Sequence, residues 1–138
     1  MWIFYALLSA LFASLTALFA KLGIVNVNSN LATAIRTIVV LIMIWLIVFA
    51  RGEVKGMPDI SKKTLFFLVI SGITTGLSWI FYFKALQLGQ VSQVTIIDKS
   101  SLALTILLSA FFLGETLTIK TLIGAALIIA GTLVIVLK

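Results

Sequence analysis

Five apolar runs, each about the twenty residues that a helix needs to cross a bilayer, leave this chain few ways to fold. They are Trp2–Ala20, Asn30–Ala50, Thr64–Phe83, Val91–Leu113 and Thr118–Leu137. Backbone groups in lipid must be satisfied within their own segment, and the runs lack the two-residue alternation of strands. Each is therefore predicted as a membrane-spanning helix. The single proline, Pro58, falls in a connection. Asp59 or Ser61 is placed to cap the third helix, and Thr116 or Thr118 the fifth. Of 138 residues, 62% are hydrophobic and 10% charged, more apolar surface than a soluble domain of this size covers. The first run is too long for a signal-peptide core, lacks a basic leader and ends in Lys21 rather than a cleavage site, so it too reads as a span. The expectation is an all-α, single-domain integral membrane bundle of five helices.

Composition also removes whole classes of chemistry. There is no Cys and no His. Disulfides, thiol nucleophiles, Cys/His metal sites and histidine acid–base catalysis are excluded, so no enzyme, metal or cofactor is expected. The net charge is +6, but the cations sit at the ends of apolar runs and are not interleaved with aromatics. There they snorkel and orient helices, and no nucleic-acid partner is implied.

Charges inside the runs are the candidate functional groups. Val91–Leu113 carries Asp98 and Lys99 side by side. A charge at bilayer depth costs roughly 2.5–3.5 kcal/mol on insertion scales, so such residues face a partner, a bundle interior or a wet cavity. Asp98 lies seven residues past Val91, about 10 Å deep at helical rise. Thr95, Asp98, Thr105 and Ser109 share one face, with Lys99 about 100° away. In the second run Arg36 stands six residues beyond Asn30, about 9 Å deep, flanked by Thr33 and Thr37. Because helices two and four start from the same side, Arg36 and Asp98 lie at similar levels. A charge-assisted pair between them is expected, within one polar pocket that also draws on Lys99, Lys84 and Lys21 and has a cationic surplus.

The third run holds Ser71, Thr75, Ser78 and Tyr82 on one face, with Trp79 beside them. Gly72 and Gly76 form a small-xxx-small pair for close helix approach, and Gly124 and Gly131 stand one heptad apart in the fifth run. Alanines at 6, 10, 13, 17 and 20 line one face of the first helix. Arg36, Asp98, Lys99, Trp79, Tyr82, Ser78 and Thr75 are thus the candidate solute-binding or coupling residues. Gly72, Gly76, Gly124 and Gly131 are the candidate packing positions.

Sidedness is weakly encoded. Arg51, Lys55, Lys62, Lys63 and Lys120 fall on the N-terminal side, and Lys21, Lys84 and Lys138 on the other. Five against three favours a cytoplasmic N-terminus only slightly and allows insertion in both orientations.

The stretch Lys84–Leu137 resembles the EamA-type half of the drug/metabolite transporter superfamily. The likeness rests on Ala85-Leu86 with Gly89 and Val91, the Leu113-Gly114-Glu115 turn, and Gly124-Ala125 with Gly131 in the last helix. Val27–Thr37 and Ile96–Ser101 resemble the small five-span bacterial and archaeal branch, and the likeness extends over essentially the whole chain. The proline common in the family's fourth helix is absent here, where Thr95 and Ile96 stand. The resemblance implies one half of a ten-helix, inverted-repeat secondary transporter of the plasma membrane. It implies a small-molecule solute, lipid as solvent, and a second copy, antiparallel, supplying the missing half. Two other classes stay open. A non-transporting membrane subunit would use Arg36 and Asp98 as a structural pair. A small multidrug-type cation exporter would need an acid in the first helix, which has none.

Overall fold

The computed structural model describes residues 1–137, all in helices, turns and short connections. The elements are α1 (Trp2–Gly23), α2 (Ser29–Ala50), a 3-10 helix (Glu53–Asp59), α3 (Lys62–Leu88), α4 (Val91–Lys99), α5 (Ser101–Leu113) and α6 (Ile119–Val136). Five stretches are long and apolar enough to cross a membrane: α1, α2, α3, α4 with α5, and α6. The chain is a multi-pass membrane protein, as the five runs imply. Lys138, counted above in the charge balance, lies outside the described residues.

Local chemistry sets the helix ends. Asn28 caps α2, its side-chain oxygen accepting from the N–H groups of Asn30 and Leu31 at 2.9 and 3.4 Å. Ser61 caps α3 through Thr64 N–H at 3.1 Å, and Thr118 caps α6 through Thr121 N–H at 3.2 Å. Of the alternatives in the sequence, the hydroxyls of Ser61 and Thr118 therefore do the capping. Gly114 closes α5 in the left-handed conformation, φ 67°, which favours glycine. Thr118 and Leu137, expected inside the last helix, are its flanking caps. The third helix runs five residues beyond Phe83, to Leu88.

The chain divides into two compact units. One comprises residues 19–87: the end of α1, all of α2, the 3-10 helix and nearly all of α3. Three polar ties hold it together. Lys21 Nζ donates to the Leu86 carbonyl at 2.6 Å, Gln87 Nε2 donates to the Val27 carbonyl at 2.8 Å, and Arg36 packs on two α3 rings. The first two join the end of α1 and the α1–α2 turn to the last turn of α3, where carbonyls lack helical partners. Ile24, Ser29, Thr33, Phe83 and Leu86 are its buried residues.

The other unit comprises residues 1–18 and 88–138, with α4, α5 and α6 in mutual contact. Its buried residues are Ala17, Ala103 and Thr132. Of the alanine face expected on the first helix, Ala17 is buried and Ala20 half-buried, while Ala6, Ala10 and Ala13 are exposed.

The fourth span departs from the sequence expectation. It is not one unbroken helix: α4 ends at Lys99 and α5 begins at Ser101. At the joint the bonding tightens to the 3-10 pattern. Ser100 N–H donates to the Ile97 carbonyl at 3.0 Å, and Ala103 N–H to the Ser100 carbonyl at 3.1 Å. The Ser100 hydroxyl also donates to the Ile97 carbonyl, at 2.7 Å. Ser100 itself keeps helical dihedrals, φ −61° and ψ −22°, so the joint is a local tightening. Across it, the Thr132 hydroxyl of α6 reaches the Ile96 carbonyl at 3.4 Å.

Candidate functional site

Arg36 enters its unit from the eighth residue of α2, about 10 Å from the start of the helix. Its guanidinium carbon lies 4.7 Å from the Trp79 ring centroid and 4.6 Å from that of Phe83. These residues are one helical turn apart on α3, so a single face offers two ring faces to one cation. Tyr82 packs edge-on against Phe83, centroids 5.8 Å apart. Arg36 Nη1 is closed off from solvent and has no hydrogen-bond acceptor among the described residues. A guanidinium suits this role, being planar, delocalised and more weakly hydrated than an ammonium.

Asp98 stands in the other unit, directly before the joint in the fourth span. Its carboxylate lies 3.7 Å from Lys99 Nζ, with both side chains partly exposed. Thr95, one turn earlier on the same face, has a buried hydroxyl with no partner among the described residues. One short helical segment thus gathers an acid, a base, an unpaired hydroxyl and a tightened backbone.

The expected Arg36–Asp98 pair would join the two units, and within its own unit Asp98 has Lys99 as its ion-pair partner. The ion pairs among the described residues are Asp98–Lys99 and Arg51–Glu53, and each member of the expected pair has its partner within its own unit. Lys99 reaches Asp98 because it is adjacent, and Arg36 uses rings instead of a carboxylate. Each cation expected in the single cationic pocket has a near neighbour of its own. Lys21 bonds the end of α3, Lys84 lies 3.5 Å from Gln87 Oε1 at an exposed position, and Lys99 pairs with Asp98.

The hydroxyl stripe of α3 bonds inward. Thr75 donates to the Ser71 carbonyl at 2.8 Å, and Ser78 is exposed. On α2, Thr33 and Thr37 donate to the Ser29 and Thr33 carbonyls, both at 2.8 Å, and neither hydroxyl accepts from Arg36 Nη1. A hydroxyl in an apolar setting finds its nearest acceptor in its own helix, one turn back. The candidate packing glycines do not mark close approaches here. A Cβ built at Gly72, Gly76, Gly124 or Gly131 meets nothing within 4 Å.

Sequence reasoning placed Arg36 and Trp79 among the candidates, and the fold brings them together; Tyr82 is the neighbour of the second ring. It missed Phe83, whose signal is its place one turn after Trp79. It missed Ser100 and Thr132 too, since a back-bonding serine or threonine leaves no periodic trace in the sequence.

Residues 1–137 match the EamA-like transporter family. An "Uncharacterized transporter in cobO 3'region" of a Sinorhizobium species is 46% identical over 134 residues, covering 97% of this chain and 95% of that protein. An uncharacterized protein of Methanocaldococcus jannaschii is 32% identical over 133 residues, covering 96% and 94%. No solved structure matches. With five apolar spans in the described residues and a family match running nearly end to end, the chain belongs to the EamA-like transporter family.

Proposed function

We propose that this chain is a secondary transporter of a small anionic or zwitterionic metabolite in the bacterial or archaeal plasma membrane, working by alternating access as an antiparallel homodimer. The family supports membrane transport, and a transporter rather than an enzyme. The observation that carries the finer reading is the charged joint of the fourth span. Asp98 and Lys99 sit immediately before the turn at Ser100, about 10–12 Å into the segment. Charges and irregular backbone at such depth are tolerated where protein covers them or water reaches them. Transporters place substrate and coupling-ion sites at interruptions of this kind. A segment jointed there can change direction without breaking a full helix, which is what alternating exposure requires. Asp98 offers a carboxylate for a proton or solute cation, and Arg36 offers a guanidinium for an anion.

The number of spans supports the homodimer reading. Ten-helix relatives of this architecture hold two inverted halves, and this chain has the spans of one. A second copy inserted the other way would supply the second half, and the weak charge asymmetry permits it.

The test is uptake into proteoliposomes. A panel of labelled amino acids and carboxylates is first screened by thermal stabilisation of the purified protein, because a ligand of the native state raises apparent stability. The expected result is saturable uptake of a stabilising solute that Asp98→Asn abolishes while the variant stays folded and monodisperse. Undiminished uptake by folded Asp98→Asn would make the Asp98–Lys99 pair merely structural. Labelling of the N-terminus from a single face of intact cells would rule out the antiparallel arrangement.

A further inference from the structure

The Arg36 guanidinium satisfies its π-facing surface but not its hydrogen-bonding edge. Trp79 and Phe83 take the cation at 4.7 and 4.6 Å, while Nη1 is shielded from solvent and meets no acceptor among the described residues. Ring contacts are made by the faces of a guanidinium, and its N–H donors point outward in its plane. The residues that hold Arg36 therefore leave its donors free. The acids in the same unit, Glu53 and Asp59, belong to the connection at the far end of α2.

We infer that Arg36 is the recognition point for an oxyanion, with a solute carboxylate bound in the guanidinium plane. The inference deepens the transport reading and rests on it for the source of the ligand. A fork of coplanar N–H donors matches the two oxygens of a carboxylate, and a buried donor without an acceptor makes such a ligand worth binding. Trp79 and Phe83 set the plane in which it must approach, and they add an apolar wall that a lipophilic or aromatic body would contact. A lipid phosphate offers similar oxygens, and the arms of the test below separate it from a solute carboxylate. The side chain is half-buried rather than sealed.

Trp79 makes the test direct. The chain has three tryptophans, and a Trp2→Phe/Trp45→Phe variant leaves Trp79 as the sole reporter. In phosphatidylcholine nanodiscs, benzoate and succinate are expected to change its emission saturably at constant ionic strength, while benzamide and methylamine do not. Adding Arg36→Lys should weaken the response by roughly tenfold to a hundredfold, the loss of a bidentate charge-assisted contact. Arg36→Gln should remove it. If Arg36→Gln does not fold, the comparison of benzoate with benzamide decides. Equal responses to those two, or a benzoate response surviving in folded Arg36→Gln, would overturn the inference. So would emission that changes on moving to phosphatidylglycerol discs and ignores added carboxylate, because the oxyanion would then be a headgroup. Carboxylate binding without uptake in proteoliposomes would defeat the transport reading and leave the site standing. Uptake of a zwitterionic solute with no carboxylate response at Trp79 would do the opposite.

Discussion

Lys21 offers the sharpest test of how the α2–α3 unit is held. Its ammonium donates at 2.6 Å to the carbonyl of Leu86, a fully buried residue in the last turn of α3. That carbonyl is one of the four that a helix leaves without a partner at its C-terminal end. A hydrogen bond to a charged group contributes about 1.5–3 kcal/mol, and a cation at a helix C-terminus about 0.3–1 kcal/mol. Lys21→Met keeps most of the stem volume and removes the charge and the donor. The expected loss is about 2–3 kcal/mol, roughly a thirtyfold to 160-fold fall in the folding equilibrium constant. Equilibrium unfolding in mixed dodecyl maltoside–SDS micelles, followed by far-UV circular dichroism, reads it. Lys21→Arg should retain much of the stability. Lys84→Met is the control, because Lys84 makes only an exposed 3.5 Å contact with Gln87 and should unfold like the wild type. If Lys21→Met stays within about 0.5 kcal/mol of wild type, the tie to α3 contributes nothing that matters. If Lys84→Met loses as much, charge in general, rather than the bond to Leu86, is responsible.

Two further substitutions probe helix ends. Asn28→Ala removes the acceptor for two N–H groups at the start of α2 and should cost about 1 kcal/mol in the same assay, with Asn28→Ser close to wild type. Gly114→Ala places a side chain at φ 67° with open space around it, so its cost should be conformational alone, about 1 kcal/mol, and Gly114→Asn should recover part of it. A neutral Gly114→Ala would mean that the end of α5 relaxes out of the left-handed conformation.

The spans were legible because bilayer thickness is a ruler that a single sequence carries. Twenty apolar residues announce a helix whatever surrounds it, and the five runs fall inside the observed helices to within a few residues at each end. The caps were half legible. Ser61 and Thr118 were on the page with competitors, and only geometry separates a hydroxyl that reaches the third N–H from one that does not. Partners were the least legible. Arg36 and Asp98 share a depth in the sequence, but depth fixes only one coordinate of a side chain. It says nothing of the direction in which the helix faces, and aromatic rings compete for a guanidinium without carrying a charge that sequence arithmetic can count. The joint at Ser100 was hidden for a different reason: it is a local tightening at a residue with helical dihedrals, φ −61° and ψ −22°, and carries no proline to signal it.

The unequal lengths of α2 and α3 have a consequence for the lipid around them. Their 22 and 27 residues correspond to about 33 and 40 Å of helix. The start of α2 and the finish of α3 are pinned together by Gln87 on Val27 and by the rings on Arg36, so they begin flush. The surplus of five residues, about 7–8 Å, lies at the other end of the pair, where Lys62 and Lys63 open α3. The 3-10 helix from Glu53 to Asp59 then works as a ramp between two different heights. Acyl-chain length would therefore be felt at one membrane face far more than at the other, and lengthening the lipids should draw Lys62 and Lys63 toward the hydrocarbon while leaving the flush end where it is.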